Sequence, residues 1–463
     1  VSPAALGAAL QVAAAAPAGA GAAPISAGDT AWVLTSGALV LLMTVGLAFF
    51  YGGLVRPRNA LNTMMMSVVA LGVVGVQWMV VGYSLAFAPG TSLIGGLGWA
   101  LFRGVGFAPE PGYAATIPQT AHALYQGMFA VITPALISGA IVERMRFRGY
   151  VLFILLWSLL VYDPLAHWVW GRGGWLAAMG ALDFAGGTVV HVSAGVSALV
   201  AALLLGPRKD FRRSPLAPHS VPLVLLGAGL LWFGWFGFNA GSALAANGVA
   251  ALAFVNTNTA AAAALVTWAL LDTLRVGKVT AVGAATGAVV GLVGITPAAG
   301  FVTPAAALAI GALAACVSFA AIQVRSRTRL DDSLDVFSAH GLGGVAGALL
   351  TGVFASRLAN PAGGDGLLAG NAAQLGVQLL AVLATAALAA AGTVVAYHVV
   401  KLTVGARSAV HDELEGLDLA DHGEEAYFGG DVGAVAGPGF ALGSSVIVHA
   451  HAPAGAEAKG RAA

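Results

Sequence analysis

Apolar residues fill runs of roughly twenty along this chain, separated by short polar breaks, and a run of that length crosses a bilayer as a helix. Taken in order, the runs predict spans over residues 31–53, 60–87, 120–142, 150–170, 186–206, 221–240, 250–273, 280–299, 301–323, 334–355 and 373–400. The expected fold is all-α, a polytopic membrane protein with eleven transmembrane helices. The breaks then set its direction, because Lys and Arg accumulate on the cytoplasmic side. Alternate loops carry Arg56 and Arg58; Arg144, Arg146 and Arg148; Arg208, Lys209, Arg212 and Arg213; Arg275 and Lys278; Arg325, Arg327 and Arg329. The intervening loops hold only Arg103, Arg172 and Arg357. With an odd number of spans, this asymmetry puts the N-terminus outside and the C-terminus inside the cytoplasmic membrane.

Composition narrows the class further. A chain with 59% hydrophobic and 9% charged residues has too little polar surface for a water-soluble protein, so lipid is its solvent. A net charge of +1 offers no basic field for nucleic acid. The single Cys316, inside an apolar run, excludes a disulfide framework and a thiolate metal site, and no resident cofactor is expected. The 64 glycines suit membrane helices, where small residues let backbones approach closely. Three regions follow: residues 1–29, a leader or signal-peptide remnant; 30–400, the transmembrane domain; and 401–463, a cytoplasmic tail. The tail carries Asp412, Glu413, Glu415, Asp418, Asp421, Glu424 and Glu425 opposite basic loops. It is expected to dock on the inner face, with a solvated acidic tail as the alternative.

Two segments resemble each other. His191-Val-Ser-Ala-Gly-Val-Ser-Ala lies in the fifth span and His340-Gly-Leu-Gly-Gly-Val-Ala-Gly in the tenth, and Asp183 and Asp332 each precede a histidine by eight residues. A repeat of five spans is odd, so the second copy enters the membrane inverted and the eleventh helix is an addition. Such symmetry would bring His191 and His340 to matched depth. Ionisable side chains there mark a path or a structural pair, and imidazole can donate, accept and exchange a proton near neutral pH. Asp183, opening the fifth span, suits a helix cap, and Asp335 is expected to cap the tenth in the same way. Aromatic residues crowd Tyr125-Gln-Gly-Met-Phe129 and Trp232-Phe-Gly-Trp-Phe-Gly-Phe238-Asn-Ala-Gly-Ser242. An interfacial belt accounts for such residues; the second run, with rings, glycines and a hydroxyl, also suits a cage for a small cation.

At these residues the chain resembles the ammonium transporter family, related to the Rhesus-type proteins. The resemblance rests on Asp183-Phe-Ala-Gly-Gly-Thr-Val-Val-His191 continuing to Gly206-Pro-Arg208, on Gly234-Trp-Phe-Gly-Phe-Asn-Ala-Gly-Ser242, and on Asp335-Val-Phe-Ser-Ala-His340-Gly. It implies nitrogen uptake by a homotrimer with a path for ammonium or ammonia through each protomer, not an enzyme. It assigns His191 and His340 as paired pore histidines, and Phe129 and Phe238 as a stacked gate. Trp170, Phe129 and Ser242 become an outer recruitment site that Asp183 supports indirectly, with Tyr125 at an aromatic position of the vestibule. Residues 416–427 resemble the family's cytoplasmic segment, with a PII-type signalling protein as the implied partner. Two rivals stand beside this: an ammonium sensor signalling through its tail, and a membrane metalloenzyme using both histidines and an aspartate.

Overall fold

The structure, a computed structural model, describes residues 25–214 and 216–427. The leader before Ile25 and the Gly/Ala-rich end after Tyr427 lie outside the described residues. The described residues up to Ala426 belong to one compact unit; of the second, Tyr427–Ala463, only Tyr427 is described.

Ten helices among the described residues are long and apolar enough to span a membrane: α1 (Ala27–Leu54), α2 (Pro57–Phe87), α3 (Gln119–Ile141), α4 (Phe147–Ala178), α5 (Gly187–Leu205), α6 (Val221–Ala243), α7 (Gly248–Val276), α9 (Pro304–Arg325), α10 (Phe337–Phe354) and α11 (Ala372–Thr403). A shorter apolar helix, α8 (Ala281–Ile295), lies where the eighth span is expected; it stops short of 299 in a run of turns. Local chemistry sets several starts. The side chains of Ser26, Ser220, Asn247, Thr280 and Thr303 each accept a backbone N–H from the first turn that follows, relieving donors a helix cannot satisfy itself. Because Ser26 caps it, α1 begins four residues before the apolar run does.

Packing between helices depends on missing side chains. The α1–α6 pair has the most extensive contact in the molecule, and a Cβ on Gly227 would lie 2.3 Å from the backbone nitrogen of Phe50. Dispersion over such contacts replaces the hydrophobic drive that lipid removes.

The Arg-rich face is closed by buried charge. All five N–H donors of Arg144 are engaged: by the carbonyls of Gly206, Val142, Ala140 and Asp331 and the hydroxyl of Ser333. Glu143, fully buried with a left-handed backbone (φ 66°), accepts from Arg56 and Arg208, and Arg208 also pairs with Asp331 at 2.8 Å. Burial alone would raise the Glu143 carboxyl, but the Arg56 hydrogen bonds and the charge of Arg208 outweigh it and hold the pKa below its ordinary value.

The chain after α11 returns to this face. Arg146 N–H donates to Ala406 O (3.0 Å) and Ser408 N–H to Arg144 O (3.0 Å). Two short helices follow, α12 (Val410–Glu415) and α13 (Leu417–His422). Glu413 pairs with Arg407 at 2.8 Å and accepts from Lys209 N–H at 2.6 Å; Asp418 accepts from the N–H groups of Leu61 and Asn62, and Asp421 from that of Phe147. These three acidic residues are therefore docked within the same chain. Burial pushes the Asp418 carboxyl up, opposed by the bonds it accepts at the start of α2.

Candidate functional site

Two π-helical turns carry the buried histidines. Gly187–Val192 holds His191 and Phe337–Leu342 holds His340, each running directly into the regular helix after it. A π-turn adds a residue to the helical circuit and re-aims the side chains that follow. An aspartate anchors each. Asp183 Oδ1 accepts the N–H of Gly186 and Gly187 at 2.7 and 2.6 Å, while Oδ2 accepts Thr188 N–H at 2.7 Å, Val189 N–H at 3.2 Å and the Thr188 hydroxyl. Asp332 accepts Val336 N–H at 3.0 Å and Phe337 N–H at 2.8 Å. The expected cap on α10 is thus Asp332 and not Asp335, which sits in the left-handed region (φ 59°) with its carboxylate turned to Arg325 at 2.8 Å.

The histidine-bearing segments cross where side chains vanish on both. A Cβ on Gly195 would lie 2.2 Å from the Cα of Gly341, so only glycine permits this approach. His191 and His340 consequently meet, Nδ1 to Nδ1 at 3.3 Å, with ring planes 26° apart and both side chains buried. Two ring nitrogens at that separation share one proton: one imidazole donates from Nδ1 and the other accepts. In neutral rings this makes the remaining nitrogens unlike, one an Nε2 acceptor and the other an Nε2–H donor. Trp235 stacks on His191 at 5.4 Å and is held by its indole N–H bond to Thr296 Oγ1 (2.9 Å). His191 Nε2 is buried and has no partner among the described residues.

On the side away from the Arg-rich face, Phe129 and Phe238 stack at 4.2 Å with planes 27° apart, and Phe238 lies 6.1 Å from His191. Beyond them opens a cavity of about 400 Å³ whose lining includes Phe129, Trp170, Asp183 and Ser242. Trp170 meets Phe129 edge-on at 6.1 Å, and its indole donates to Asp183 O at 2.9 Å. Its neighbours are otherwise occupied: Trp168 packs on Trp175 at 5.5 Å and donates to Leu93 O. Ser242 Oγ donates to Phe238 O at 3.0 Å, which leaves oxygen lone pairs available as acceptors. Tyr125 is completely buried; its hydroxyl bonds Phe238 O (2.8 Å) and contacts Ser242 Oγ (3.1 Å), fixing a lining residue from behind. Asp183 borders the cavity, but its oxygens already hold the start of α5. A second void, about 10 Å³, is lined by Phe238, Trp235, His191, His340, Ile132, Leu47 and other apolar residues. It has room for roughly one water-sized molecule.

The structure brings together residues grouped from the sequence: His191 with His340, Phe129 with Phe238, and Trp170 and Ser242 around one cavity. His122, Tyr113 and Gln126, which sequence reading does not group with them, also line the cavity beside Trp170. His122 is buried, stacked on Tyr113 at 5.1 Å and bonded to Tyr83. Gln126 Oε1 is buried without a partner among the described residues. Its only signal was its place between Tyr125 and Phe129.

The combination defines a multi-span helical membrane protein with a polar-rimmed cavity and, past two stacked phenylalanines, a small buried void lined by two histidines. Residues 31–427 match the model of the Ammonium Transporter Family. The ammonium transporter of Bacillus subtilis is 50% identical over 401 residues, covering 86% of this chain and 98% of that one. Ammonium transporter Amt1 of Archaeoglobus fulgidus is 45% identical over 87% of this chain and 100% of its own length. Among solved structures, Mep2 of Saccharomyces cerevisiae superposes with a TM-score of 0.77 at 37% identity, covering 83% of this chain and 91% of that one. A structure described as a sensor Amt protein gives a TM-score of 0.78 at 29% identity, over 85% of this chain and 98% of that one. The chain belongs to the Ammonium Transporter Family, a family of transporters and channels rather than enzymes.

Proposed function

We propose that this protein carries ammonium, as ammonia through its core, across the cytoplasmic membrane, by a path inside each protomer of a homotrimer. The observation that carries the reading is the order of parts along one line: cavity, stacked phenylalanines, paired histidines. Trp170, Phe129 and Ser242 collect the cation, offering π faces and a hydroxyl acceptor in place of water. Asp183 serves indirectly, by fixing the turn whose carbonyl holds Trp170, and Tyr125 by orienting Ser242. Phe129 and Phe238 exclude bulk water. A bare cation at the bilayer centre costs ~2.5–3.5 kcal/mol even on lenient scales. Ammonium escapes that cost by releasing its proton, which potassium cannot do. The dehydrated molecule then passes His191 and His340, whose shared hydrogen bond keeps one acceptor and one donor nitrogen for it.

In the same reading all eleven apolar helices span the membrane, α8 included, as two inverted five-helix repeats plus α11. The N-terminus lies outside and the Arg-rich face inside, with residues 30–400 as the membrane domain and 401–463 as the cytoplasmic tail. The paired constructions, Asp183 with His191 and Asp332 with His340, each on a π-turn, support the repeat. A PII-type signalling protein docking on the Arg-rich face is the proposed regulator. A sensor role is the second reading, favoured by the likeness to the sensor Amt structure. The metalloenzyme reading is weakened because Asp183 and Asp332 are engaged as helix caps.

Ammonium-induced current in proteoliposomes, recorded beside a flux assay, tests the proposal. Flux with current means charge crosses; flux without current means neutral ammonia crosses; absence of flux overturns transport and leaves sensing.

A further inference from the structure

A second cavity, about 470 Å³, lies beside the start of α11 and away from the conduction path. Arg357, Asp365, Asn371 and Gln374 line it, together with Met179 and Gly180 from the end of α4. Its two charges are opposite but do not neutralise each other. The Arg357 guanidinium donates only from Nε, to Gly363 O at 3.2 Å, and neither Nη has a partner among the described residues. Asp365 accepts Arg357 backbone N–H at 2.8 Å through Oδ1, while its Oδ2 accepts no bond there. No ion pair joins the two side chains. Exposed apolar side chains adjoin its lining residues in sequence: Leu358, next to Arg357, is 96% exposed and Leu368, next to Ala369, 70%, with Leu367 and the lining residue Met179 also uncovered. Such leucines beside a polar hollow at the end of a membrane helix suit the boundary between headgroups and acyl chains.

We propose that this cavity binds the headgroup of a zwitterionic aminophospholipid, its phosphate on Arg357 and its primary ammonium on Asp365, with the acyl chains over Leu358, Leu367 and Leu368. The free Nη donors match phosphate oxygens. The carboxylate selects against a headgroup carrying only negative charge. It also favours a primary ammonium, which donates hydrogen bonds, over a trimethylated one, which cannot.

Native mass spectrometry of the full chain, titrated with phosphatidylethanolamine, phosphatidylcholine and phosphatidylglycerol of matched acyl chains, tests this. The wild type should bind phosphatidylethanolamine about tenfold more tightly than either of the others, as expected for one charge-assisted hydrogen bond. Arg357→Gln should weaken binding of all three lipids about tenfold, and Asp365→Asn should remove the tenfold preference, with ammonium flux and melting temperature unchanged. Asp365→Asn should also strengthen phosphatidylglycerol binding, an effect that general loss of structure would not give. If Arg357→Gln lowers the melting temperature, Arg357→Lys should retain phosphatidylethanolamine binding within about threefold. Equal binding of the three lipids by the wild type, or undiminished phosphatidylethanolamine binding by both charge-removing variants, overturns the proposal.

Discussion

At the scale of single residues, the Nδ1 to Nδ1 contact of His191 and His340 would, on the proposed path, fix the chemistry offered to a passing molecule. Replacing both with leucine fills the space but removes every acceptor and donor. The double variant should lose ammonium flux on the order of a hundredfold, or lose discrimination against potassium, since ~2.5–3.5 kcal/mol of desolvation then goes unrelieved. A purely structural pair would respond otherwise, because exchanging both partners of a hydrogen bond for apolar groups is nearly neutral. Flux at the normal rate with full selectivity would refute the role given to the histidine pair. Phe238→Ala opens the stack with Phe129, so stopped-flow water permeability of proteoliposomes should rise while ammonium affinity changes little. The reverse outcome would make Phe238 a binding residue. These histidines were legible because each lies deep in an apolar run with similar small residues after it. Asp332 was passed over as a cap in favour of Asp335 because sequence distance does not reveal a left-handed residue between an anchor and its helix.

At the scale of elements, the crossing of α5 with the start of α10 depends on Gly195 facing Gly341. Gly195→Val would force the backbones apart and should lower stability by about 1–3 kcal/mol, the usual range for overpacking. It should also cut ammonium flux well beyond what that loss explains, since the histidines are carried by the displaced segments. Thermal unfolding and flux on the same preparation check both parts, and an unaltered flux would show that the imidazole pair tolerates a wider crossing. The spans themselves were largely readable, since hydrophobic length is what a bilayer demands. The π-turns were not: nothing in Gly187–Val192 or Phe337–Leu342 distinguishes an i→i+5 turn from an ordinary one, and the tertiary crossing selects it. The early end of α8 had a sequence signal that hydrophobic length alone passes over: Pro297 stops the helix at Ile295, and Thr296 to Phe301 runs in turns that contact Trp235 and Phe184.

At the scale of the whole molecule, the proposed orientation predicts that a reporter fused after Val400 is cytoplasmic and one inserted near Asn360 is external. Opposite labelling would sink the eleven-span reading. The tail prediction is more specific than charge alone allowed. Truncation after Ala406 removes Glu413, Asp418 and Asp421, which hold the backbone at Lys209, Leu61, Asn62 and Phe147. Transport should change or a PII-type partner should fail to bind, and a truncated protein matching the full chain in both assays would dismiss regulation through this segment. The acidic tail was visible in sequence; which of its carboxylates dock was not, because that depends on free N–H groups at helix starts far away in the chain. The same face carries a consequence for synthesis. Arg144 finds its ligands at Gly206, Asp331 and Ser333, as much as 189 residues later. A chain still on the ribosome can insert its early helices one by one, yet two of the five guanidinium donors stay unmatched until Asp331 and Ser333 have emerged. Closure of the Arg-rich face is therefore completed late, and a polypeptide halted before residue 331 would present quality-control machinery with an open bundle and an arginine short of two ligands.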